Sequence, residues 1–253
     1  MTGRMDRIGL LALPGLSFLA VIYALPLFML LLKSFQIDGQ FSVAEYITFF
    51  NDDYSLSVLW RTLRVALLTT GLTLLIAYPT AIIMAHAKGI WLSIFLVAMV
   101  LPMSVGVVVK AFAWTILFRT RGILNETLMS LGITDAPIRM LFTETALIIG
   151  AANVFLPLMV LPIYAVLRQM DSRLPAAAAS LGAKPVFRFM NVTLPLSLPG
   201  VVAGCAFTFS LAISMYVIPS LIVGERQQTL SMLTARSFLY LRNEALGATI
   251  SSI

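Results

Sequence analysis

Cysteine and histidine, whose side chains often serve as nucleophiles, bases and metal ligands, are rare in this 253-residue chain. Cys205 is the only cysteine and His86 the only histidine, so neither an internal disulfide nor a metal site of thiolates and imidazoles is expected. The sequence contains no G-x-x-x-x-G-K-[ST] loop to hold nucleotide phosphates. A Ser/His/Asp catalytic set is also not expected, because His86 lies in the short polar turn 86–89. These patterns predict that the chain is not an enzyme and holds no metal or cofactor.

The most informative stretch is 168–204, which begins RQMDSRLPAAAASLGAKP. Asp171 or Ser172 can cap the start of a helix, and Ala176–Ala179 is a strong helix-forming run. Gly182 is placed to end that helix. The residues therefore predict a short helix with small side chains, which would let the surface of another protein approach closely. An ordinary amphipathic loop helix without a partner is the alternative.

The spacing in this stretch resembles the EAA signature of permeases that depend on a soluble binding protein. That signature is Glu-Ala-Ala, three residues, Gly, nine residues, Ile, one residue and Leu-Pro. The residues of this chain on the pattern are Ala177, Ala178, Gly182, Val192, Leu194 and Pro195. Thr145–Leu167, residues 216–224 and Asn125 with Gly132 are similar to permeases of the spermidine/putrescine branch. One position departs from the pattern, since Ala176, preceded by Pro175, stands where the family has its Glu.

This resemblance implies an all-α integral membrane protein with the type I fold of ABC importer permeases. About six transmembrane helices are expected, with a cytoplasmic coupling helix at Ala176–Gly182 inside the loop 168–194. That helix is expected to dock on a separate ATPase, which would bind ATP and Mg and hydrolyse the nucleotide. The residues expected at the docking contact are Arg173, Ala176, Ala177, Ala178, Gly182, Ala183, Lys184, Leu194 and Pro195.

The resemblance also implies partners. They are a dimer of ATP-binding subunits, a second permease subunit expected to be a different chain, and a periplasmic or lipid-anchored substrate-binding protein. A polyamine-like substrate is favoured, while iron, opines and amino-phosphonates stay open. The net charge of +6 is spread over loops and forms no basic run, so nucleic acid is not an expected partner.

Apolar transmembrane spans are expected to hold the loop 168–194 in position. We predict that they form a single transmembrane domain over residues 1–253. The chain is 60% hydrophobic and 11% charged, whereas soluble domains carry about 25% charged residues. Crossing the membrane takes about 20 apolar residues in a helix. A sixth span is expected to begin near Ala245 and is cut short at Ile253. The five earlier runs are Ile8–Leu32, Leu63–Ala85, Ile90–Val109, Thr145–Leu167 and Leu198–Val223. The alternative for the third run is that it continues past Lys110 into Phe112–Phe118.

Two kinds of residue at the span ends suggest a structural role. Gly200 and Gly204 form a G-x-x-x-G pair that allows close helix contact, either within the subunit or against the partner permease. The charged residues near span ends are interpreted as interfacial groups whose long side chains reach toward water. They are Lys33, Arg61, Arg64, Lys110 and Glu144.

The charges give only a slight preference for the orientation of the chain in a bacterial inner membrane. The positive-inside rule favours a cytoplasmic N-terminus, with Arg4, Arg7 and Lys88 among the inner charges. The apolar run after Arg7 is longer than the roughly 7–15 residues of a signal-peptide core, so we interpret it as a transmembrane span that is not cleaved off.

Two other classes of protein stay open. A secondary transporter would be expected to show internal repeats, which we do not detect, and a non-transporting anchor subunit would not need the loop helix.

Overall fold

The computed structural model describes residues 14–37, 39–171 and 173–253. Within these ranges the regular secondary structure is helical apart from one small hairpin. It forms two compact units. One combines the described residues up to Ser57 with Leu230–Ile253, and the other is Val58–Thr229. The single domain expected over residues 1–253 stays a prediction.

Four helices are long and apolar enough to cross a membrane, and a bent pair supplies a fifth candidate span. These elements are α1 (Pro14–Ser34), α3 (Asp53–His86), the pair α4 (Ile90–Ser104) and α5 (Val107–Leu117), α7 (Glu144–Gln169) and α9 (Pro185–Ser214). The shorter helices are α2 (Ala44–Asn51), α6 (Ile123–Ser130), α8 (Arg173–Ser180), α10 (Val217–Ile222), α11 (Leu230–Leu239) and α12 (Glu244–Ser252). Strands β1 (Gln36–Ile37) and β2 (Gln40–Phe41) pair antiparallel. The predicted all-α membrane fold is confirmed.

The first and last predicted spans are only partly represented among the described residues. Helix α1 covers the predicted first span from Pro14 onward, while Ile8 and the two preceding arginines, Arg4 and Arg7, lie outside the described ranges. Helix α12 begins at Glu244, where a sixth span was expected, and has nine residues. Nine residues of α-helix rise about 14 Å, which is less than the ~30 Å hydrocarbon core.

The predicted third span is not one straight helix. Helices α4 and α5 meet at an angle of 99° across a break of two residues. Pro102 lies in the last turn of α4, and Val105 and Gly106 have extended backbone angles that interrupt the helix. The 15 residues of α4 rise only about 22 Å. A run of apolar residues shows that a segment prefers lipid, but it does not show where the helix turns.

The fifth span begins earlier than its apolar run. Helix α9 starts at Pro185, well before the predicted Leu198, and ends at Ser214 rather than Val223. Proline suits the first position of a helix because its missing N–H would have had no intrahelical partner there. A π-helical turn at Phe189–Thr193 lies between this start and the apolar part. Because this first part contains polar side chains, hydropathy alone did not indicate that the helix begins there.

In the first of these two units, hydroxyl groups connect α1, α2 and α12. The Tyr46 hydroxyl lies 2.8 Å from Ser34 Oγ and 2.7 Å from Ser252 Oγ. Thr249 Oγ1 donates to the Ser34 carbonyl oxygen at 3.2 Å, and the rings of Phe35 and Tyr46 stack at 5.1 Å. These bonds satisfy hydroxyl groups that would be costly to leave unpaired in an apolar setting.

Helix α7 is the central element of the second unit. Its first half packs in an apolar cluster that includes Phe118 and Ile222. Its second half packs against Ala77, Ala81 and Met84 of α3. Because α7 is buried along most of its length, it provides a firm support for the loop that follows it.

Candidate functional site

The start of helix α8 is capped by a carboxylate. Asp171 Oδ1 accepts a hydrogen bond from the Arg173 backbone N–H at 2.9 Å, and the Asp171 carbonyl accepts from Leu174 N at 3.1 Å. A negative charge at this end also interacts favourably with the helix dipole. Ser172, the other predicted cap, lies outside the described residues. The predicted helix over 176–182 therefore begins three residues earlier, at Arg173.

The end of α8 is a Schellman motif centred on Gly182. Its φ of +81° is in the left-handed region, where glycine has no Cβ penalty. Gly182 N donates to the Ala179 carbonyl at 3.0 Å, and Ala183 N donates to the Ala178 carbonyl at 3.0 Å. These are the two bonds that define the motif. Together with the Asp171 cap, these bonds fix both ends of the short helix.

The side chains of α8 and of the residues that follow it include small and apolar groups that are exposed. The side chains of Ala176 and Ala177 are exposed, and Ala178 is half-buried. Leu181 is 88% exposed and Val186 is 74% exposed. Large exposed apolar side chains grouped in one place commonly mark an interaction surface.

Basic side chains surround this surface. Arg173 and Lys184 are exposed, and no carboxylate pairs with either in the part of the chain that the structure describes. Arg188 is half-buried, and its Nε is a buried donor without a hydrogen-bond partner among those residues. The loop therefore presents positive charge around an exposed apolar surface.

Tyr78 of α3 holds the first part of α9. Its hydroxyl lies 2.8 Å from Ser197 Oγ, and its ring meets the Phe189 ring edge-on at 5.8 Å. Leu194 and Pro195, two residues of the predicted contact, lie between these two attachments. The structure places them in the first turns of the span rather than in the exposed loop.

The glycine pair of α9 faces α7 within the same chain. A Cβ added at Gly200 would lie 2.9 Å from the Pro162 carbonyl oxygen and 3.0 Å from Ile163 Cα. One added at Gly204 would lie 2.9 Å from Met159 Sδ and 3.1 Å from the Met159 carbonyl oxygen. The two helices therefore pack with their backbones in close contact.

The chain matches the family described as binding-protein-dependent transport system inner membrane component over residues 77–251. This chain belongs to that family. The permease is 34% identical over 210 residues to the spermidine/putrescine transport system permease protein PotB of Haemophilus influenzae, covering 83% of this chain and 73% of the relative. It is 32% identical over 200 residues to PotB of Escherichia coli, covering 79% and 73%. It is also 32% identical over 234 residues to the inner membrane ABC transporter permease protein YdcU of Escherichia coli, covering 84% and 74%.

Solved structures show the same fold. A bacterial ABC transporter involved in the import of the acidic polysaccharide alginate matches with a TM-score of 0.70 and 16% identity, covering 98% of the permease and 90% of that chain. The alginate transporter in complex with an alginate-bound periplasmic protein matches with a TM-score of 0.74, covering 98% and 89%. The predicted type I importer fold is confirmed, and the permease is a multi-pass inner membrane subunit of an ABC importer.

Several of the charged residues interpreted as interfacial groups also bind other parts of the permease. Arg64 forms a bidentate ion pair with Glu144, with Nε–Oε1 at 2.9 Å and Nη2–Oε2 at 2.5 Å. Arg61 Nη1 donates to the Gln228 carbonyl at 3.2 Å, and Lys33 pairs with Glu244. These partners are far apart in sequence, so no local signal could have identified them.

A strained aromatic residue also escaped sequence reasoning. Phe142 has a φ of 65°, which is rare for a bulky side chain. Its backbone N–H donates to the Ile222 carbonyl at 3.1 Å, and the Arg226 guanidinium lies 5.6 Å from the centre of its ring. These two contacts hold the conformation in place.

Among the described residues, no group of three His, Cys, Asp or Glu side chains could hold a metal ion.

Proposed function

We propose that this permease imports a small polyamine-like solute and is driven by separate ATP-binding subunits that dock on α8. The observation that carries the proposal is the exposed patch formed by the alanines of α8, Leu181 after it and Val186 at the start of α9. A helix with small side chains lets a partner backbone approach closely, and the exposed apolar side chains favour burial on assembly. Arg173 and Lys184 would pair with acids on the partner surface.

The way α8 is attached supports a mechanical role. Its ends are fixed by Asp171 and Gly182, so a push on the helix would not be absorbed by unwinding. The following span is held to α7 at Gly200 and Gly204. Closure of two ATPases around ATP and Mg would therefore move α7 and α9 together and open or close the pathway.

The remaining partners follow from the relatives. The alginate transporter was solved with a periplasmic protein, and we extend this to a periplasmic or lipid-anchored binding protein that delivers the solute to this permease. A second permease chain would complete the pathway. The names of the PotB relatives support a polyamine-like substrate. Docking of α8 on an ATPase requires that α8 lie in the cytoplasm, which corresponds to a cytoplasmic N-terminus.

The docking role is tested by enlarging one exposed alanine. In the assembled complex in vesicles, Ala177→Trp is expected to abolish ATP-driven uptake and to reduce co-purification of the ATPase. Ala136→Trp enlarges an exposed alanine in the loop before the other end of α7 and should leave both unchanged. Thermal unfolding checks that both variants fold. Normal uptake by Ala177→Trp would rule out docking on this face.

The substrate class is tested separately with the same vesicles. Labelled spermidine and putrescine are expected to accumulate only when ATP and the binding protein are present, while sulfate is expected to stay outside. Uptake of sulfate without spermidine would overturn the polyamine assignment. That result would leave the docking role of α8 intact, because the docking test does not depend on which solute is carried.

A further inference from the structure

A cavity of about 360 Å³ lies beside the first turns of α7, in the unit formed by Val58–Thr229. We propose that it binds one anionic phospholipid, with an acyl chain in the cavity and the phosphate at Arg139. We call it the Arg139 cavity. Its volume falls in the range of roughly 300–1,000 Å³ typical of small-molecule sites. Its apolar walls are formed by Phe118, Leu124, Ile138, Met140, Ala146 and Ile149.

The position of the Arg139 cavity matches the depth of a lipid. Helix α7 is a membrane span that begins at Glu144, so this end of the helix marks the membrane surface. Arg139 and Thr143 lie on the water side of that point, whereas Ile149 lies more than one turn inside the span. The polar part of the cavity is thus at headgroup level and the apolar part at the level of the acyl chains.

Charge decides which headgroup fits. Arg139 is the only charged residue lining the cavity, it is exposed, and no carboxylate among the described residues pairs with it. The nearest acid in the span, Glu144, is already paired with Arg64. A guanidinium fork matches the oxygens of a phosphate, and the exposed Thr145 can donate a further bond. A zwitterionic lipid carries the same phosphate, but its ammonium group offsets the negative charge, so an unpaired guanidinium favours the anionic lipid.

Contacts within the protein hold the walls of the cavity in place without a lipid. The Asn125 amide nitrogen donates to the Ile138 carbonyl at 2.9 Å, and Ile138 N donates back to Asn125 Oδ1 at 2.9 Å. Phe118 stacks on Trp114 at 5.0 Å, and Trp114 Nε1 donates to Asn153 Oδ1 at 3.2 Å. A preformed cavity loses little entropy when a chain enters it.

Headgroup charge should dominate the selectivity. An acyl chain leaving the bilayer for the cavity gains little from the hydrophobic effect, because both surroundings are apolar. One exposed ion pair between a guanidinium and a phosphate changes binding by up to about fivefold. We therefore expect the permease to retain phosphatidylglycerol about fivefold more than phosphatidylcholine with the same chains.

The test is native mass spectrometry of the full chain released from nanodiscs that contain equal amounts of the two lipids. Arg139→Gln should remove the preference for phosphatidylglycerol. Arg121→Gln, an exposed arginine that does not line the cavity, should keep it. Ile149→Trp should fill the cavity and lower retention of both lipids. Because Arg139→Gln changes only an exposed side chain, it decides the headgroup question even if Ile149→Trp does not fold.

Three results would overturn the proposal. The first is equal retention of phosphatidylglycerol by the native chain and Arg139→Gln. The second is protection against thermal unfolding by glycerol phosphate as strong as that by phosphatidylglycerol, which would indicate a phosphate site without a chain. The third is loss of the retained lipid when the second permease or the binding protein assembles with this chain, which would mean that a protein covers the cavity.

Discussion

At the scale of single residues, a carboxylate cap determines how α3 begins. Asp52 Oδ2 accepts from Ser55 Oγ at 2.6 Å and from Ser55 N at 3.0 Å. The hydrogen bond from the Ser55 hydroxyl, followed by the one from its backbone N–H, holds the pKa of Asp52 below its ordinary value. The ionised form of Asp52 is therefore favoured in the folded chain.

This cap predicts an acid-dependent loss of stability. A lowered folded pKa stabilises the fold above the unfolded pKa, and that contribution disappears as pH falls through the lowered value. Ser55→Ala should raise the pKa of Asp52 and make the thermal midpoint less sensitive to pH below about 4. Ser57→Ala, whose hydroxyl donates to the Tyr54 carbonyl, is the control and should behave like the native chain. An unchanged pH profile in Ser55→Ala would show that the cap does not contribute.

Gly182 gives a second prediction for a single residue. A Cβ there would meet no atom within 4 Å, so only the positive φ opposes a side chain. Gly182→Val should cost about 1–2 kcal/mol of local stability and weaken the end of α8, because a left-handed conformation is unfavourable for that residue. Gly182→Asn should be nearly neutral, since Asn tolerates this conformation. The stimulated rate of ATP hydrolysis by the assembled complex is measured for both variants. Equal rates for Gly182→Val and Gly182→Asn would show that the left-handed backbone conformation is not the reason for the effect.

At the scale of elements, the contact between α7 and α9 depends on two glycines. Gly200→Ala and Gly204→Ala should each destabilise the permease by about 1–3 kcal/mol, because the added methyl group meets backbone atoms that cannot move aside. Gly71→Ala lies inside α3 with no atom near its Cβ and should stabilise by up to about 1 kcal/mol. Thermal unfolding in detergent gives all three values. A neutral Gly200→Ala would indicate that the two helices separate easily.

At the scale of the whole molecule, lipid replaces water as the main solvent. Apolar side chains remain exposed along the spans, such as Leu75 at 72% and Val202 at 62%. In water these surfaces would drive aggregation, whereas in a bilayer they are at no disadvantage. The distribution of Lys and Arg gives a slight preference for a cytoplasmic N-terminus.

A cysteine-accessibility experiment would determine this orientation. Cys205 is the only cysteine, so Cys205→Ala gives a background without thiols. In that background Leu181→Cys should react with an impermeant maleimide only after the cells are opened, because α8 is expected in the cytoplasm. Asp135→Cys, beyond the other end of α7, should react in intact cells. The reverse pattern would contradict both the cytoplasmic N-terminus and the docking of α8 on an ATPase.

Much of the fold could be predicted from the sequence because its signals are local. The apolar composition identified a membrane protein, and the run from Asp171 to Gly182 specified a helix and its ends within a few residues. Such features depend on backbone preferences and capping bonds between residues close in the chain. The spacing of the EAA pattern then led to the correct family.

Only the tertiary structure decided the features that depend on residues far apart in sequence. Arg64 finds Glu144 80 residues away, and Phe142 is held in a rare conformation by a contact with Ile222. The bend between α4 and α5 and the cavity beside Arg139 likewise depend on how several helices pack. Hydropathy records which segments prefer lipid, but packing free energy is shared among many distant contacts and cannot be read from any one of them.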